Sequence, residues 1–285
     1  MSHCIKSALG KASGLEASSD TPRLDVELLL AEVLSRPRSF LFSHPEYQLD
    51  DTQWQRFMAL LARRGQGEPV AYLLGRQSFW NLELTVSPAV LIPRPETELL
   101  VETVLESCGE EPLAVLDLGT GSGAIALALA SERPHWKLWA SDYSVAALAV
   151  AEGNARRHGL ENVQFLLGRW FEAVPRGTMF SVIASNPPYV APDDPHLRRG
   201  ALPYEPEPAL VAPKQGLADL HEIIDTAPDY LHSGGFLALE HGHDQGEAVR
   251  QRLRARGYRG VRTLRDLAGQ ERLSIGLRPE GNEHA

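Results

Sequence analysis

A chain of 285 residues with 43% hydrophobic composition can bury one full core and a smaller second one, so a lone small domain is not the expected arrangement. A formal net charge of −9 disfavours a surface built to neutralise phosphates and makes nucleic acid a poor candidate partner, although an acidic total is compatible with a local basic patch. Cys4 and Cys108 lack paired spacing, and no stretch reaches bilayer length or sets basic residues ahead of an amino-terminal apolar run, so a cytoplasmic protein without disulfides or membrane contact is expected.

In chain order, the first elements read as helices. Residues 24–34 space polar groups among apolar ones as a mostly buried helix does, with Thr21-Pro22 as its start and Pro37 just past its end. Asp50 or Asp51 can cap a second helix that carries Trp54, Phe57, Met58, Leu60 and Leu61 toward one side and stops near Gly65. A third, short helix follows Glu68-Pro69. These three define an expected helical domain over residues 1–75. Residues 77–90 then alternate, with Phe79, Leu82, Leu84 and Val86 among polar neighbours, which predicts a β-hairpin linker over 76–90. Leu91-Ile92-Pro93-Arg94-Pro95-Glu96-Thr97-Glu98 follows as a rigid proline-bracketed loop entering a helix, and its plainest reading is a helix start with acids in the first turn.

From residue 112 onward, short β-like runs (114–118, 137–141, 163–167, 180–184, 235–240) alternate with helical ones (123–130, 145–158). That order predicts an α/β fold over 91–285, a Rossmann-like, mostly parallel sheet with helices on both faces. The runs at 261–264 and 272–277 have only a polar turn between them, which predicts an antiparallel hairpin at the sheet edge.

The first of these strands ends in Asp117-Leu118-Gly119-Thr120-Gly121-Ser122-Gly123-Ala124. Glycines at such a strand-to-helix turn let the backbone bend tightly and let a ligand approach the amides at the helix start. Asp142 closes the next strand about 20 residues on, where a carboxylate can accept from ribose hydroxyls. The pattern also satisfies the dinucleotide form, so by itself it separates a dehydrogenase from a methyltransferase no better than it excludes either.

Ser185-Asn186-Pro187-Pro188-Tyr189-Val190 lies at the end of the fourth strand. The prolines lock their own φ and hold Asn186 extended, though the pair also reads as ordinary strand-ending punctuation. By strand count Asn186 faces the same crevice as Gly121 and Asp142. An amide or aromatic amine is a poor nucleophile, so a site that methylates one must grip its NH2 group. The Asn186 side-chain carbonyl and the Pro187 backbone carbonyl supply two acceptors, and Tyr189 can pack over the planar group.

These segments occur together and in order, along with Gly67-Glu68-Pro69-Val70-Ala71-Tyr72-Leu73-Leu74-Gly75 and Gly234-Gly235-Phe236-Leu237-Ala238-Leu239-Glu240-His241-Gly242. With them the chain resembles the release factor glutamine methyltransferases, the PrmC/HemK family, over nearly its whole length. The resemblance implies transfer of a methyl group from S-adenosylmethionine to the side-chain amide nitrogen of the glutamine in the Gly-Gly-Gln motif of class 1 peptide chain release factors. It implies that Gly119, Thr120, Gly121, Ser122, Gly123 and Asp142 bind the cofactor, with Trp170 beside the adenine. Asn186, Pro187, Pro188 and Tyr189 would hold the substrate amide, Asn186 touching both ligands, and the helical domain would contact the release factor. The enzyme is expected to act as a monomer, with no direct nucleic-acid contact. One position departs from the family pattern: Gly168-Arg169-Trp170-Phe171 has Arg169 where an acid is usual.

Other features weigh less. His241 and His243 invite a metal reading, but no further ligand set accompanies them and methyl transfer from a sulfonium needs no metal. Arg63-Arg64 and Arg198-Arg199 read as solvated surface, and Arg94 and Glu98 as pocket-shaping residues or a local ion pair. A DNA adenine methyltransferase shares the Asn-Pro-Pro-Tyr chemistry but wants a basic recognition region. A nicotinamide-dependent oxidoreductase leaves that motif without a task, and a non-catalytic scaffold leaves both motifs without one.

Overall fold

The computed structural model describes residues 3–198 and 200–278; Arg199, and with it half of the Arg198-Arg199 pair, lies outside them. The chain forms two compact units, Met1–Arg76 with Pro195–Tyr204, and Gln77–Asp194 with Glu205–Ala285.

The first unit is helical: α1 (Ile5–Leu9), α2 (Pro22–Leu34), α3 (Arg38–Ser43), α4 (Asp51–Gly65) and α5 (Val70–Leu74), with a 3-10 segment at Gly10–Leu15. Among the described residues five helices stand where three were expected. The two extra ones, α1 and α3, are too short to show a period. Tertiary bonds at the start of α1, from the Ile5 amide to the Tyr47 carbonyl (3.1 Å) and from Lys6 to Pro45 (2.8 Å), help to hold it. Helix α2 has Pro22 in its first turn and ends at Ser35 in the left-handed region. A full capping box starts α4: the Asp50 carboxylate accepts from the Gln53 amide, and the Gln53 side chain accepts from the Asp50 amide. Phe57, Leu29, Leu30, Ile5 and Leu41 fill the core of the unit. Arg63 and Arg64 are engaged and not simply solvated. Arg63 pairs with Glu68, and Arg64 is largely buried against Asp25 at 2.6 Å. From the returning segment, the Tyr204 hydroxyl donates to the Gln66 carbonyl at 2.7 Å.

Strand β1 (Arg76–Phe79) pairs with β2 (Leu82–Thr85) as a two-stranded sheet. Helix α6 (Glu98–Ser107) follows within the second unit, which continues β3 (Ala114–Leu118), α7 (Ala124–Glu132), β4 (Lys137–Asp142), α8 (Val145–His158), β5 (Val163–Leu167), β6 (Phe180–Ser185), α9 (Ala218–Thr226), β7 (Leu231–Glu240), α10 (Gly246–Ala255), β8 (Arg259–Arg265) and β9 (Glu271–Leu277). The seven strands β3–β9 order as β5-β4-β3-β6-β7-β9-β8. The first five in that order run parallel; β9 lies antiparallel to both β7 and β8, so the last two strands form the antiparallel edge.

Alternation along each strand builds two cores. Val115, Val182 and Ala238 point into one with Leu100 and Leu127, while Leu116, Ile183 and Leu237 point into the other with Leu220 and Leu253. Both faces are covered, and so these strands read as nearly unbroken apolar runs. Chain order reverses between β3 and β6, and Leu118 is in register with Ser185. The residues that follow, Gly119 and Asn186, therefore leave the sheet side by side at the switch point. Among the described residues no helix is long and apolar enough to cross a membrane.

Candidate active site

At this carboxyl edge lies a cavity of about 450 Å³, a size suited to a small-molecule ligand. Of the sequence-derived candidates, Gly119, Gly121, Asp142, Trp170, Asn186 and Pro188 line it. Thr120, Ser122, Gly123, Pro187 and Tyr189 are not among its lining residues.

The glycine turn is held from below. Gly119, Gly121 and Gly123 all have positive φ, at 71°, 57° and 87°. A methyl at Gly119 would lie 3.1 Å from the Trp170 ring, so the bare backbone makes room for the indole as well as for a ligand. The Asp117 carboxylate accepts from the Thr120 hydroxyl (2.6 Å) and the Ala126 amide (3.2 Å), pinning both ends of the turn. The Ser122 carbonyl accepts from Asn154. Burial pushes the Asp117 carboxyl up to about 7, against the lowering effect of those donors, and its Oδ1 is buried without a partner.

Asp142, the last residue of β4, takes the Gly121 amide on Oδ2 (3.0 Å) and the Ser144 amide on Oδ1 (2.9 Å). Burial raises its carboxyl above the usual range in spite of these bonds. A carboxylate has about four lone-pair sites, so these bonds do not exhaust its capacity to accept from hydroxyls of a ligand. Trp170 has φ of 48° and a buried indole nitrogen without a partner, a strained setting that fixes its ring in the wall. Arg169 is tied down by Asp219 (2.7 Å) and Glu222 (2.5 Å) and lies over the Trp170 ring. Because Asp219 also lines the cavity, this wall keeps a carboxylate although position 169 is basic.

Ser185 anchors the second half of the site by donating to the Leu118 carbonyl at 2.7 Å. The Asn186 Nδ2 donates to the Thr97 hydroxyl (3.1 Å), while among the described residues no hydrogen bond engages its Oδ1. Tyr189 packs against the β-sheet core, and its hydroxyl donates to Glu240 Oε1 at 3.3 Å. Burial and the Glu240 charge push that phenol far above its ordinary value, so it stays protonated. Glu240 is fully buried at the end of β7, and burial raises it to about 7, partly countered by the Thr97 hydroxyl and Arg272.

The 3-10-rich segment after Asn186 buttresses the motif. Val190 bridges to Val211, and Gln245 Nε2 donates to the carbonyls of Tyr189 (2.9 Å) and Gln215 (3.1 Å). Arg94 pairs with the buried Glu205 at 2.5 Å, whereas Glu98 accepts from the Trp80 amide, so of that pair only Arg94 tethers the segment that walls the cavity. The His241 ring nitrogens bond to Ser274 and the Gly242 carbonyl. Thr97 and Glu240 were not among the sequence candidates. An acid closing an otherwise apolar central strand is the signal that marks Glu240; nothing local marks Thr97.

A PrmC N-terminal domain model matches residues 9–75, and a methyltransferase domain model matches residues 110–261. The chain is 53% identical over 258 residues to a release factor glutamine methyltransferase of Pseudomonas aeruginosa, covering 90% of this chain and 93% of the relative. It is 48% identical over 274 residues to the Escherichia coli protein of the same name, covering 96% and 97%. A methyltransferase structure from Pyrococcus furiosus shares the fold, with a TM-score of 0.54 and 21% identity over 78% of this chain and 98% of that one.

Proposed function

The chain belongs to the release factor glutamine methyltransferase family, and we propose that its substrate is the glutamine of the Gly-Gly-Gln motif in class 1 peptide chain release factors, methylated on its side-chain amide nitrogen in the cytoplasm. S-adenosylmethionine is the donor this site fits, and when bound it supplies a methyl group on a positively charged sulfur. Gly119 and Gly121 offer bare backbone to it, Asp142 offers lone pairs to hydroxyls, and Trp170 offers an aromatic wall. The helical unit serves as the second contact surface for a protein-sized substrate.

The observation that carries the reading is the register of β3 and β6, which sets the glycine turn beside Asn186. Asn186 Oδ1 and the Pro187 carbonyl accept the two amide protons of the glutamine and aim its nitrogen. Positive charge develops on that nitrogen as its bond to the methyl carbon forms and the methyl–sulfur bond breaks, the sulfur product being S-adenosylhomocysteine; the two oxygens stabilise the charge, and one amide proton then leaves to solvent. Alignment supplies much of the gain, because no strong base acts before transfer.

Methyl-labelled S-adenosylmethionine, offered with a class 1 release factor, the same factor with its Gly-Gly-Gln glutamine changed to alanine, or duplex DNA, tests this. Label on the intact factor alone is expected; label on DNA alone would move the substrate to adenine. Asn186→Ala should cut turnover about 100-fold or more while leaving donor affinity within a few-fold. Near-normal turnover would remove Asn186 from the chemistry.

A further inference from the structure

We infer that Asp219, the acid in the first turn of α9, accepts from the 6-amino group of the donor's adenine and so decides which purine nucleoside the cavity takes. The inference rests on the donor proposed above. The sheet order β5-β4-β3-β6 lays out the carboxyl edge as a row of positions. Methyl transfer belongs at the ends of β3 and β6, where the glycine turn and Asn186 stand side by side. Asp142, one strand further out at the end of β4, has acceptor capacity left for ribose hydroxyls. A nucleoside laid along that edge brings its base to the end of β5, where Gly168, Arg169 and Trp170 line the cavity.

Asp219 stands at that end. Among the described residues two carboxylates line the cavity, Asp142 and Asp219. Asp219 is 9% exposed, and Arg169 Nη2 donates to its Oδ1 at 2.7 Å. Arg169 is itself fixed, since it also donates to Glu222 and lies over the Trp170 ring, 5.4 Å from the centroid. Among the described residues no hydrogen bond engages Asp219 Oδ2. A nearly buried carboxylate with one oxygen committed and one free is a preset acceptor. Adenine carries an NH2 group at its 6-position, whereas hypoxanthine has an oxygen there that would meet Oδ2 lone pair to lone pair. A buried acceptor left unpaired is costly, so the site rejects the base that has no proton to give it there. Arg169 only donates, and any side chain at 219 that pairs with it must turn an oxygen toward it. That rule fixes what Asp219→Asn does: its Oδ1 stays on Arg169, and its NH2 group takes the place of Oδ2.

Calorimetric titration of the whole protein with S-adenosylhomocysteine and with S-inosylhomocysteine, its deaminated analogue, reads this without turnover. The parent should bind the adenosyl compound at least about tenfold more tightly. Asp219→Asn should weaken adenosyl binding at least about tenfold and tighten inosyl binding, so that the preference vanishes or reverses. Asp219→Ala, which leaves neither acceptor nor donor, should bind the two within about threefold of each other, and it carries the test if the Asn variant does not fold. A variant that keeps the parent's preference overturns the inference. So does equal weakening of both compounds, which would put Asp219 on a part of the donor other than its base. A parent that binds neither compound sinks the donor reading itself, whereas one that binds the adenosyl compound but labels no release factor sinks the substrate reading and leaves Asp219 in place.

Discussion

Asp117 and Glu240 are carboxyls sealed from water, and burial lifts both to about 7 from ordinary values of 3.8 and 4.5. The folded chain keeps these two protons at pH values where the unfolded chain has released them. Their contribution to stability is therefore full below about pH 4, shrinks as pH rises, and reaches its floor above about pH 7. Glu27 works the other way: burial raises its carboxyl, but the hydrogen bonds and charges of Arg38 and Arg23 together outweigh that, and the net shift is downward. Its stabilisation is present above its unfolded value and fades as pH falls. For that reason the differences between variants carry the test. Asp117→Asn and Glu240→Gln should each lose less stability than the parent between about pH 5 and about pH 8, as read from denaturant midpoints. Parallel curves would mean that neither group holds its proton.

Among the elements, those with punctuation at their ends were legible in the sequence. Thr21-Pro22 opens α2 and Asp50 opens α4 because proline and a short acid act through local geometry alone. Removing the cap by Asp50→Ala should lower stability by about 1 kcal/mol, measured as a shift in the unfolding midpoint at unchanged slope. Helix α1 carries no such mark and is tied to Pro45 and Tyr47, while α3, which follows Pro37, spans only six residues. The segment between β6 and α9 was opaque because its shape comes from Val190 meeting Val211 and from Gln245 gripping two carbonyls, contacts set by the fold. Gly216 sits in that segment at φ of 79°, and a methyl there would run into the Tyr189 carbonyl. Gly216→Ala should thus lower turnover at least about tenfold through displacement of the motif, with far-ultraviolet dichroism unchanged. Normal turnover would show that the motif does not need this support. The glycine turn and Asn186 could be placed at one edge from strand count alone; the bond from Asn186 to Thr97 could not, since it joins residues 89 apart in the chain.

Over the whole molecule, the alternating strand and helix pattern gave the α/β class, because the parallel strands β3 to β7 are largely apolar and separated by intervals at least as long as a helix. What it did not reveal is the return of Pro195–Tyr204 to the helical unit, a stretch too brief for any period. That membership makes a prediction for hydrogen exchange. Phe57→Ala, which empties about 3–5 kcal/mol of packing from the helical core, should speed exchange in 202–204 along with α2 and α4, while β3 and β6 stay protected. If 202–204 remained as slow as the sheet, the segment would belong with the strands.

The same return path sets a schedule for biogenesis. A chain made from its amino terminus exposes α1 to α5 early, yet the helical unit lacks its last piece until synthesis has passed Asp194, by which time β3 to β6 are already made. Helices that could otherwise mature first must wait on the ribosome for a late stretch, and a nascent chain stalled before Tyr204 leaves the Gln66 carbonyl without its phenol.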